Sequence, residues 1–63
     1  MNFKTMFKLA YLYVTEIGGD YYKVFEPKLE TCSIAYDSGD IETATAMLHF
    51  IASKVVELRE ETI

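Results

Sequence analysis

His49 and Cys32 are the side chains of this 63-residue sequence best suited to chemistry, and each residue type occurs once. A histidine titrates near neutral pH, so it can serve as a general base, a metal ligand or a pH switch. A general base needs a partner within hydrogen-bond reach. The helical neighbours Thr45 and Lys54 do not make a catalytic pair with His49. It reads as a histidine of an interface or of a core rim. A cysteine is nucleophilic only as its thiolate, which takes an electropositive, accessible setting. Lys28 lies near Cys32, but the row of residues holding Cys32 is apolar. A cysteine in such a row packs as a small hydrophobe.

The remaining chemistry-bearing residues form no constellation. Glu26, Glu30, Asp37, Asp40 and Glu42 are spread along the chain, with no pair set as general acid and base and no calcium-loop spacing. A structural zinc site takes about four ligands from Cys, His or carboxylate, more than Cys32 and His49 supply. Tyr11, Tyr13, Tyr21, Tyr22 and Tyr36 lack the interleaved Lys and Arg of a base-stacking platform, since only Lys23 and Lys28 are near. They read as core rim or protein interface. Gly18-Gly19 has neither the lysine nor the further glycines of a phosphate-cradling loop, and reads as a turn. The expectation is a non-enzymatic protein with no catalytic residue, no metal and no cofactor.

Three elements must position these residues. Gly18-Gly19 and Ser38-Gly39 divide a single helical domain, residues 1–63. After Asp40, which can cap a helix, Ile41, Ala44, Leu48, Ile51, Val55 and Leu58 recur at steps of three and four. That spacing predicts a helix over about 41–61. Residues 20–38 carry a matching row, Tyr22, Phe25, Leu29, Cys32 and Tyr36, with Asp20 as a candidate cap. Pro27 falls opposite that row and either kinks the helix or begins its regular part. The two helices form an antiparallel hairpin. Residues 2–17 read as an additional N-terminal helix with the row Phe3, Phe7, Ala10, Val14 and Ile17. The alternative is a strand over Leu9 to Ile17 that Gly18-Gly19 turns into a β-hairpin. The helix is favoured because its period extends upstream through Phe3 and Phe7.

Composition points to association. A chain of this size buries only about 60% of its unfolded surface, so it needs a staple or a partner. One cysteine makes no disulfide within the chain, yet 51% of the residues are apolar and 14% aromatic. The back of the third helix bears little charge between Glu42 and Glu57. It presents small and apolar residues where an exposed helix should be polar. Burial on two sides follows, against the hairpin and against a second chain. The expected interface is Ala44, Met47, Leu48, Phe50, Ile51, Ala52 and Val55.

Six Lys and Arg against ten Asp and Glu give a net charge of −4, and the basic residues are scattered. This argues against nucleic-acid binding, which takes a concentrated positive field. The longest uncharged run, Thr43 to Ser53, is far short of the roughly 20 residues that span a bilayer. No signal peptide is legible, and a free cysteine suits a reducing compartment. A cytoplasmic location is expected.

Ala35-Tyr36-Asp37-Ser38-Gly39-Asp40-Ile41-Glu42-Thr43-Ala44 resembles the central turn of a tetratricopeptide repeat, which implies a tightly packed helical hairpin. The length, the two matched rows and the Ser38-Gly39-Asp40 turn also resemble small helical-hairpin proteins that dimerise into four-helix bundles. These include the Rop-type RNA-modulating proteins and the small adaptor-like proteins of archaeal spindle-shaped viruses. The likeness covers residues 20–61. The modest charge content departs from what a thermophile's protein usually shows. The resemblance implies an all-α homodimer acting as an adaptor or regulator of protein partners, in a host cytoplasm if viral. The alternative it implies is a Rop-type RNA-binding dimer.

Overall fold

The computed structural model describes residues 2–62, and among them all regular structure is helical: α1 Phe3–Ile17, α2 Gly19–Asp37 and α3 Ile41–Thr62. The first segment is therefore a helix and not a strand. Asn2 caps α1, its side-chain oxygen accepting from the Thr5 backbone N–H at 2.9 Å. This satisfies one of the donors that a helix start leaves unpaired.

Glycines at positive φ make both reversals possible, Gly18 and Gly19 at the first and Gly39 at the second. Gly18 ends α1, its N–H donating to the Val14 carbonyl, and starts α2, its carbonyl accepting from the Tyr22 N–H. Its φ of 63° and ψ of −158° lie in a region essentially reserved for glycine. Asp20, expected to cap α2, sits instead inside the first turn, and no side chain caps that start. At the second reversal the Asp40 N–H donates to the Ala35 carbonyl and the Gly39 N–H to that of Tyr36. With Gly39 at φ 94°, this is the Schellman arrangement. Asp40 then caps α3, accepting from the Thr43 N–H at 3.4 Å.

Pro27 lies within α2, which runs unbroken through it. The proline withholds a hydrogen bond from the Lys23 carbonyl. Both residues are on the exposed side of the helix, where water can serve the carbonyl instead.

The helices run up, down and up. Phe3 at the start of α1 stacks on Tyr36 at the end of α2, and Arg59 near the end of α3 reaches Glu16 near the end of α1. All three rows read from the sequence converge on one core. Ala10 and Val14 come from α1, Phe25, Leu29 and Cys32 from α2, and Ala44, Leu48, Ile51 and Val55 from α3. Phe3, Phe7, Ile17, Tyr22, Tyr36 and Leu58 pack half-buried around it. Ile41, the first residue of the third row, stays exposed at the end of the bundle. So α1 completes a three-helix bundle by packing against both members of the α2–α3 hairpin.

Candidate functional site

The residues expected to bear chemistry lie apart. Cys32 is fully buried, and its thiol donates to the Ala44 carbonyl across the α2–α3 packing at 3.1 Å. Burial pushes the Cys32 thiol pKa above its ordinary value, because desolvation disfavours the thiolate. Its role is to pack. His49 is exposed on α3. Ser53, one turn further on and passed over in the sequence reading, lines the same shallow groove, but no hydrogen bond joins the two. Among the described residues no group of three or more His, Cys, Asp or Glu is placed to hold a metal ion.

Tyr11, Tyr13, Tyr22 and Tyr36 serve the packing of α1. Tyr11 and Tyr22 meet edge to face with their hydroxyls 3.3 Å apart. The Tyr11 phenol is held above its ordinary pKa, first by the hydrogen bond to Tyr22 and the electrostatic interaction with it, then by desolvation, and last by the charges of Glu26 and Glu30. Tyr13 carries the Arg59 guanidinium over its ring at 4.6 Å, and the same guanidinium lies 3.4 Å from the Glu16 carboxylate. None of these pairings was legible beforehand, because each joins residues brought together only by the packing of whole helices.

Lys28 lines a groove between α2 and α3. Lys4 and Lys8 are exposed on α1 and Lys23 on α2, while Lys54 lies 3.9 Å from Glu57. Among the described residues no helix is long and apolar enough to cross a membrane.

The expected interface residues divide in two. Ala44, Leu48, Ile51 and Val55 lie inside the core of the single chain, where they hold α1 and α2. Met47 and Ala52 are half-buried at its edge, and Phe50 is 65% exposed. The surface left to a second chain is therefore on the flanks of α3.

One flank faces α2. There Lys28, Ala46, Met47, Phe50 and Ile51 line an open groove of about 360 Å³. Val24 and Tyr21 precede Lys28 by one and two turns and so share its side of α2. Val24 is 52% exposed and Tyr21 46%. The α2–α3 hairpin thus has one face covered by α1 and an opposite face that is apolar and uncovered. Comparison with protein-family models, with curated proteins and with solved structures finds no match. The physical character of this face is therefore what speaks to function.

Proposed function

We propose that the chain is a non-enzymatic interaction protein that works as a homodimer, an adaptor or regulator of other proteins. Two copies would pack through the uncovered α2–α3 face, so that two hairpins form a four-helix layer with each α1 outside it. The single observation carrying this reading is Phe50, an aromatic ring 65% exposed beside Met47 on a face that also shows Val24 and Tyr21.

Exposed apolar residues that share one face mark an interaction site. A standard interface buries about 800 Å² per copy, so contacts beyond Tyr21, Val24, Met47 and Phe50 would join it. A twofold interface uses the same patch twice, so Phe50 contributes from both sides. Aromatic anchors at the centre of such patches carry much of the binding energy. Left-handed bundle packing near 20° suits the three-and-four spacing of both rows.

The test is a sample mixing isotopically labelled and unlabelled copies. Magnetisation transfer from the Phe50 ring of one copy to Val24 or Met47 of another is expected. A concentrated sample in which Phe50 shows transfer only within its own chain overturns the proposal.

A further inference from the structure

The other flank of α3 faces α1 and has the opposite electrical character. Between the two helices runs a groove of about 500 Å³. Met6, Ala52 and Val56 make its apolar floor, His49 stands on its wall, and the carboxylates of Glu57 and Glu60 are on its rim. No lysine or arginine lines it, although Lys54 lies beside it, 3.9 Å from the Glu57 carboxylate, in an exposed pair that an incoming cation can replace at little cost. The α2–α3 groove, by contrast, has Lys28 as its only formal charge.

We infer that the α1–α3 groove is a docking site for a basic amphipathic helix of another protein. The floor supplies the apolar contact. Ala52 is small and half-buried, so an incoming side chain can lie close against α3. Met6, half-buried and unbranched, can repack around it. The shape calls for a helix. The groove residues on α3 recur as 49, 52, 53, 56, 57 and 60, a stripe about three turns long on a regular rod. An amphipathic helix lays its apolar side along such a stripe, ridges into grooves. An extended peptide would need an unpaired strand edge, and helical walls offer none.

Charge selects among helices. The rim carboxylates lie where lysines or arginines flanking an apolar stripe would meet them, and an acidic helix would be repelled. The net charge of −4 adds attraction at longer range. The same carboxylates disfavour nucleic acid and anionic lipid.

The test titrates the full chain with two labelled synthetic amphipathic helices of identical pattern, one of leucine and lysine, the other of leucine and glutamate. The leucine–lysine helix is expected to bind at least about tenfold more tightly, with amide shifts centred on Met6, Ala52 and Val56. The double variant Glu57→Lys, Glu60→Lys keeps the fold, since both residues are exposed. It is expected to lose about tenfold of that affinity. Equal binding of the two helices, no binding of either, unaltered affinity in the double variant, or shifts centred on Lys28 and Phe50 would each overturn the assignment.

Discussion

The Phe3 and Tyr36 rings stack with their centroids 4.1 Å apart and their planes 10° from parallel. This contact ties the first turn of α1 to the last turn of α2. Phe7 continues the aromatic row from Phe3 at 6.0 Å. A short α1 is marginal alone, because helices of about 15 residues hold in water chiefly through packing. Phe3→Ala is therefore expected to cost about 2 kcal/mol, measured by chemical denaturation. A double-mutant cycle with Tyr36→Ala should give a coupling of about 1 kcal/mol. Purely additive losses would mean that the stack does not fix α1.

The reversals make a separate prediction. Gly39 at φ 94° closes the α2–α3 turn, and Gly18 at φ 63° closes the α1–α2 turn. Nothing lies within 4 Å of a Cβ added at Gly39, so backbone strain alone is at stake there. Gly39→Ala should lower stability by about 1 kcal/mol. Gly18→Ala should cost more, about 2 kcal/mol, since its ψ of −158° combines with positive φ. Equal stability of either variant with the parent would show that the turn relaxes freely.

Much of this fold is written locally and was legible. The three-and-four rows named the core residues of each helix, and Gly39 with Asp40 marked the second reversal. Asn2 was missed as a cap although it immediately precedes the apolar row, the usual place for one. Asp20 does not cap α2, because Gly18 and Gly19, both at positive φ, end α1 and begin α2, leaving Asp20 two positions past the cap. Pro27 was legible as a difficulty but not in outcome, since its cost depends on what its side of the helix faces. Ala44, Leu48, Ile51 and Val55 read from the sequence as buried both against the chain's own hairpin and against a second chain, because spacing records which residues are buried and not what buries them. In the structure α1 covers them, and Phe50 remains as the uncovered apolar residue on the flank away from α1. Phe50 had been singled out by the absence of charge around it.

The buried thiol couples folding to alkaline pH. The folded state holds the Cys32 proton more tightly than the unfolded chain does, because burial raises the thiol pKa. Stability from this source is complete below the ordinary value of 9.0 and declines as pH rises above it. The slope of stability against pH in that range is expected to be shallower in Cys32→Ala than in the parent. Native Cys32 should also react with a thiol reagent roughly a thousandfold more slowly than in the unfolded chain, since access takes opening of the bundle. Rapid native reaction would contradict the packing of Cys32 against α3.

Substitution on the two sides of α3 should separate folding from association. Leu48 is fully buried. An aspartate there is expected to cost about 4 kcal/mol or more, comparable with the roughly 3–9 kcal/mol that hold a chain of this size. Leu48→Asp should lack cooperative thermal unfolding by circular dichroism, and Ile51→Asp should behave alike. A folded Leu48→Asp would mean that the core assignment is wrong.

Phe50 offers the most direct test of the central claim, because its ring is exposed in the single chain and can be altered without opening the core. The measurement is solution mass by light scattering behind size exclusion, across a dilution series, for the parent chain and for Phe50→Lys. The parent is expected to show twice its 7.2 kDa at high concentration, whereas Phe50→Lys should run as a folded monomer throughout. A parent that stays a well-folded monomer at every concentration, or a Phe50→Lys variant that still dimerises, would contradict association through the α2–α3 face.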